Sequence, residues 1–528
     1  MSKITKTVLF GLGLMALLAP TSSATTYTAA SCSTTDVQAA INRTAGGDTV
    51  IVPSGSCAWT SGVTISGKGI TVTGQGSGRI IAYSSDTLSI GTGTKTINIS
   101  STSVHGTLAI TAGELLTVSE TGTRANVMTG MVTNYANGVL TLNVTTASGS
   151  CRSNNLSNCK RWLISTQPTT TIINNSSTTL FSITEDTTNH TNVSGIKIAE
   201  GTGTGDGLDF LYAGNGLAIL LHDCWIEQSN SPSDSVRLNT NRGVIWNCSF
   251  DSTPFSMAPI AIHLKGAPAT SWTTPSTMGM NDPNGQSNLY IEDSDFHAYL
   301  NSADIDDNGR VVFRYDLFNN AGFGTHGADT SNYGQRHFEY YNNVGVFNGY
   351  TDGTTFDMCW WFFIRGGSFV IYNNTLPALV SQDYGTKMDA YMTVMNLQRN
   401  GGPDACWGAG TSGGARYHAP RQVGMGYVTG TGHDGLGRTD DSITYVGDSE
   451  PGYIWGNSRQ PLGNTGTGDY GGTECTNPDT SANYIVANRD YFNNGTAKPG
   501  WTPYTYPHPL RLGDGPPGPP TNLQAVPQ

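Results

Sequence analysis

The chain has 528 residues, of which 37% are hydrophobic, enough to bury a sizeable core, yet only 12% are charged. So few charges argue against a helical bundle, whose surface needs Lys and Glu, while 66 Gly with abundant Thr, Ser and Asn suit short strands joined by tight turns. A formal net charge of −12 argues against a nucleic-acid partner, which requires a basic face, but it leaves room for an anionic ligand in a local basic cleft.

Lys3 and Lys6 precede an apolar run from Val8 to Leu18, and Ser22-Ser23-Ala24 supplies small residues for cleavage. This is the pattern of a secretory signal over residues 1–24. The run is too short to span a bilayer and no later segment qualifies. A secreted, extracellular or cell-surface protein is expected, with no membrane attachment once the signal is removed. Nine cysteines in an exported chain imply disulfides with at least one thiol left over. Cys32 with Cys57 and Cys151 with Cys159 are the close pairs.

Asp36-Val37-Gln38-Ala39-Ala40-Ile41 has apolar residues at helical spacing, followed by Gly46-Gly47 and the strand Asp48-Thr49-Val50-Ile51-Val52-Pro53. A short amphipathic helix ahead of the first strand would close one end of a solenoid. Residues 25–105 are expected to hold this cap and the first coils. Residues 106–165, with Leu115-Leu116-Thr117-Val118 and Val139-Leu140-Thr141-Leu142-Asn143-Val144, lose the later period and predict a small β insertion.

From residue 166 to 512 the main coils follow. Strands end in Asn or Asp at Asp223, Asn247, Asp293, Asp316, Asn342 and Asn373, with spacings of 24, 46, 23, 26 and 31 residues, and 46 is twice 23. A period of this size marks a solenoid whose coils stack and bury each other's apolar face. Counting back two residues predicts that Leu221, Ile245, Ile291 and Ile371 point inward, with Arg314 and Tyr340 breaking the column. Counting back one predicts an outward stripe of His222, Trp246, Glu292, Tyr315, Tyr341 and Tyr372. The Asn/Asp column itself reads as structural, a stack of corner side chains that tolerate left-handed backbone. Residues 382–445 lose the period and predict long loops, and 513–528 form a Pro/Gly-rich tail.

The capping helix before Gly47-Asp48-Thr49-Val50-Ile51-Val52-Pro53, and strands of the type Gly309-Arg310-Val311-Val312-Phe313-Arg314-Tyr315, resemble the pectate-lyase-like right-handed parallel β-helix superfamily over roughly residues 30 to 510. The resemblance implies an all-β solenoid, acting as a monomer on an extracellular, acidic polysaccharide by β-elimination. A non-catalytic polysaccharide-binding or adhesion protein, and a glycoside hydrolase, stay open beside it.

A second strand set ends in Gly266, Gly309, Gly327 and Gly366. Aligned there, Lys265, Asn308, His326 and Arg365 would form a polar column with Asp306 and Asp307 beside it. β-Elimination needs a base to take the proton next to a carboxylate and a cation to steady the enolate. Lys265 or Arg365 could serve, and Asp304, Asp306 and Asp307 could hold Ca²⁺ through hard oxygens. Hydrolysis would instead use paired carboxylates, and Asp306-Asp307 with the later His326-Gly327 partly matches polygalacturonases. Thr325 stands where that family has Gly, no Arg-x-Lys follows, and the Arg-x-Pro-x-x-Arg pattern of pectate lyases is absent. The plainer reading of Asp304-Ile305-Asp306-Asp307-Asn308-Gly309 is turn chemistry, and that of Arg314 and Arg336 is pairing with Glu339 or other carboxylates. Trp246, Tyr315, Tyr341 and Tyr372 are the expected sugar-stacking residues. Arg416, His418 and Arg421 are secondary candidates for substrate contact from the long loops.

Overall fold

A strand only a few residues long buries one face, and stacking such strands lets each cover the next. The computed structural model describes residues 24–99, 101–102, 110–120, 126–149, 162–211, 214, 216–228, 234–256, 260–266, 282–299, 301–306, 308–325, 335–346, 361–377, 392–394, 423–424, 449–466 and 487–514. The strands Thr49–Ile51, Gly55–Trp59 and Val63–Ile65 make the first coil, and Thr71–Thr73 begins the second on top of Thr49–Ile51. Repetition builds three parallel sheets of twelve, eight and ten strands, called A, B and C in the order the chain meets them. The chain is a parallel β-helix.

Inward columns form the core. Leu221, Ile245, Ile291 and Ile371 are fully buried in sheet A, as alternation requires. In sheet B, Phe250, Phe296 and Phe318 stack at 5.1 and 4.9 Å between ring centres, nearly coplanar. Such offset pairs add to plain area burial.

The turn from A to B is one residue in the left-handed region. Asp223, Asn247, Asp293, Asn342 and Asn373 occupy it with φ between 50 and 58°, and Gly195 and Gly456 fill the same corner at 65 and 67°. Short polar side chains and Gly tolerate this backbone where others strain. One coil departs from the expected column. Tyr315, not Asp316, takes the corner at φ 61°, because Phe313 stacks on Ile291 and fixes the register. Arg314 therefore points outward in place of Tyr315, while Tyr340 stays inward between Phe313 and Ile371.

The helix Thr34–Arg43 closes the first end, with Val37, Ala40 and Ile41 buried. Its N-cap Ser33 accepts a hydrogen bond from the Asp36 amide. The disulfide Cys32–Cys57 ties this cap to the first coil. Cys151 and Cys159 lie outside the described residues.

An antiparallel sheet, D, interrupts the second coil and has its own core of Leu116, Val118, Leu140, Leu142, Trp162 and Ile164. It runs from Arg79 to Thr166, so Arg79–Ser84 and Gly93–Asn98, expected among the first coils, belong to it. Pairing decides this: both strands run antiparallel to strands of the insertion. Sheet D lies on the outside of sheet B, where Ile80, Tyr83 and Leu163 pack with Trp225 and Leu317.

After Tyr491–Phe492 ends sheet A, the chain turns back along that sheet's outer face, and Trp501, Tyr504 and Leu510 pack on it. Among the described residues, no helix is long and apolar enough to cross a membrane.

Candidate functional site

Two of the three outer faces are covered by the chain itself: A by residues 501–512, and B by sheet D. The outer face of sheet C carries a cluster of charged residues. On its strands Leu208–Leu211, Val236–Leu238, Ile262–Lys265 and Ala303–Asp306, alternation buries Phe210, Leu238, Leu264 and Ile305 and turns their neighbours outward. Register then stacks Asp209, Arg237, His263 and Asp304 in one outward column, and sets Lys265 against Asp306 in the next.

His263 is the centre of this face. Its Nδ1 lies 2.6 Å from Asp234 Oδ2, and its side chain keeps 14% of its surface. Asp234 stands one coil back, just ahead of the strand bearing Arg237. The Nε2 atom makes no hydrogen bond among the described residues. Burial alone would lower the His263 pKa, but the hydrogen bond and charge of Asp234, with Asp304 nearby, raise it above the ordinary histidine value. Lys265, two residues on and half-buried, makes no ion pair or hydrogen bond among the described residues. Around this pair the charges are matched. Arg237 lies 3.3 Å from Asp206, and Arg365 lies 3.3 Å from Asp304 while donating through Nε to Thr325 O. Burial pushes Asp206 and Asp209 above the usual carboxylate range, with Arg237 pulling both back.

Of the residues expected in or beside the polar column, Lys265, Asp306, Asn308 and Arg365 are described, and Asp306 rather than Asn308 shares the register of Lys265. Asn308 instead takes a left-handed turn at φ 68°. Asp307, His326, Arg416, His418 and Arg421 lie outside the described residues. The alignment on Gly missed His263, Asp234 and Arg237. The separations of 28 residues from Asp206 to Asp234 and 29 from Asp234 to His263 repeat the coil length and could have revealed them.

A Ca²⁺ site asks for six or more oxygen ligands. Asp304 already gives one oxygen to Arg365, and among the described residues no three His, Cys, Asp or Glu side chains are grouped to hold a metal. Asp307, the third residue of the expected set, lies outside the described residues.

The expected sugar-stacking stripe is not an open surface. Trp246 and Tyr341 are buried, and Tyr372 is partly covered. Trp501 meets Tyr341, Tyr372 and Trp455 edge-on at 5.3–5.4 Å, and Tyr506 stacks on Tyr315 at 3.7 Å. The returning chain has taken the place expected for substrate. Arg314 pairs with Glu292 and donates to Tyr504 O and Thr505 O, at 2.6 and 2.8 Å. Arg511 reaches Glu292 and Asp293 at 2.7 and 2.6 Å. Arg336 pairs with Glu450 at 2.8 Å. The pairing reading of Arg314 and Arg336 holds, with partners other than Glu339.

No protein-family model matches the chain, and neither does any curated protein. Among solved structures, an alginate lyase from Paenibacillus sp. str. FPU-7 aligns at 11% identity and a TM-score of 0.24, over 83% of this chain and 97% of that one. The Gp54 tailspike of Acinetobacter baumannii bacteriophage AP22, solved with capsular saccharide, aligns at 9% identity and a TM-score of 0.15, over 70% and 66%. A glycoside hydrolase aligns at 8% identity and a TM-score of 0.21, over 69% and 87%. Likenesses this slight leave the reaction to be argued from the residues themselves.

Proposed function

We propose that the protein acts outside the cell on an acidic polysaccharide and cleaves it by β-elimination on the outer face of sheet C. The observation that supports this reading is the His263 imidazole, held by Asp234 at Nδ1, beside Lys265, with neither Nε2 nor Lys265 bonded to a partner among the described residues. In the neutral form, Nε2 takes the proton on the carbon next to the uronate carboxylate. Lys265 neutralises that carboxylate and steadies the enolate. The electron pair of the broken C–H bond becomes the new C=C bond, and the glycosidic C–O bond breaks. The imidazolium returns its proton to the leaving oxygen. Arg365, fixed by Asp304 and Thr325, borders this centre from the neighbouring coils.

Hydrolysis has one observation in its favour. Asp304 and Asp306 leave the same face of one strand, a pair of carboxylates of the kind that an acid and a base would need. Incubation with a panel of polyuronates separates the readings. Products with the ultraviolet absorbance of a conjugated uronate are expected. Reducing ends without that absorbance would mean hydrolysis, and binding with neither would mean an adhesin. The same assay with a chelator tests a Ca²⁺ requirement.

A further inference from the structure

Away from sheet C, the corner between sheets A and B brings two thiols together. His222 pairs with Trp246 and Trp225 with Ser249, so Cys224 in one coil lies directly against Cys248 in the next. Both are buried and neither is in a disulfide. Cys224 Sγ donates to His222 O at 3.3 Å and Cys248 Sγ to Trp246 O at 3.4 Å, which holds both sulfurs at the same corner. Adjacent strands run about 4.8 Å apart, inside the roughly 4.4–6.8 Å that disulfides allow between Cα atoms. The backbone spacing already suits a bond, and only the side-chain torsions must turn. The chain also carries the disulfide Cys32–Cys57, so it folds where thiols oxidise.

We propose that Cys224 and Cys248 are a modification site: oxidised to a disulfide, they staple two successive coils of the β-helix. Two S–H bonds break and one S–S bond forms. The two electrons and two protons pass to the disulfide of a thiol–disulfide oxidoreductase, which leaves as a dithiol. Burial pushes the Cys248 thiol pKa well above its ordinary value and so disfavours the thiolate that exchange needs, which places the exchange in folding, before the coils close over the sulfurs. The staple joins the coil that leads to Asp234 to the coil that leads to His263, across the core from the site.

The test uses secreted full-length protein in which Cys32–Cys57 is first confirmed by peptide mapping. The protein is unfolded without reductant, alkylated and digested. Neither Cys224 nor Cys248 is expected to take label, and a peptide pair joining them is expected that separates on reduction. In Cys248→Ser, Cys224 should become labelled while Cys32–Cys57 persists. Label on both Cys224 and Cys248 in wild-type protein, or a bond from either to another cysteine, would overturn the proposal.

Discussion

The outer faces of sheets A and C begin from the same chemistry and end differently. Both present charged and aromatic side chains at coil spacing. On sheet A, residues 501–512 cover them and the central acids find bases: Glu292 lies between Arg314 and Arg511, and Asp293 pairs with Arg511 and accepts from Tyr506. Burial would raise the Glu292 pKa, but the two guanidinium groups hold it below the usual carboxylate range. On sheet C the pairing stops short among the described residues, leaving Lys265 without a partner and His263 with an open nitrogen. A buried, matched charge network fixes a structure, and a half-matched one at the surface has capacity left for a ligand.

Removing the open nitrogen breaks this comparison most sharply. His263→Ala is expected to slow cleavage by about 10²–10⁴, the range of a lost acid–base group, while the thermal midpoint stays close to wild type. The mirror experiment is Arg314→Met on sheet A. It takes from buried Glu292 one of its two guanidinium partners, leaving Arg511, and should cost about 3 kcal/mol in denaturant unfolding, with the activity of the folded fraction unchanged.

The pH profile sharpens the same contrast. Because Asp234 raises the His263 pKa and the base must be neutral, the rate should rise with pH through a limb above the ordinary histidine value of about 6.5. Asp234→Asn removes the charge that favours the imidazolium, so the limb should move to lower pH and the plateau should fall. A limb that stays in place would show that another group is the base.

How much of this was legible in the sequence depends on what each signal measures. Period-two alternation placed Leu221, Ile245, Ile291 and Ile371 in the core, because inward burial repeats every coil. It also turned Trp246 and Tyr341 outward, which is correct for the strand. It could not show that Arg511 and Trp501, more than a hundred residues away, would lie over them. The slip at Tyr315 had the same origin: an Asp following the strand was read as the corner, and the packing of Phe313 on Ile291 overruled it. His263 went unseen because the alignment followed the strand ends, whereas its partner Asp234 sits ahead of the strand one coil back.

The smallest expected effect comes from that slip. Asp316 was expected at the corner and stands one place beyond it, among side chains that bond from coil to coil. Asn343, Asn374 and Asn457 each donate through Nδ2 to a carbonyl of the preceding coil, at 3.0, 3.0 and 3.1 Å. Asp316 Oδ1 accepts from the Ser294 amide at 2.8 Å, but Oδ2 is buried without a partner among the described residues. Burial pushes this carboxyl well above the usual range, so its contribution to stability is full below about pH 4 and is lost as pH rises toward the folded-state value. Asp316→Asn should restore the missing donor, raise stability at neutral pH by about 1 kcal/mol, and flatten its pH dependence above pH 4. Parallel denaturant titrations at acidic and neutral pH measure both.

The claim that sheet C, and not the aromatic stripe of sheet A, meets the polysaccharide is tested most directly by calorimetric titration of an oligouronate into wild type, Lys265→Ala and Tyr372→Ala. Binding is expected to be lost in Lys265→Ala and kept in Tyr372→Ala. Binding that survives Lys265→Ala and disappears in Tyr372→Ala would place the ligand on sheet A and contradict the assignment.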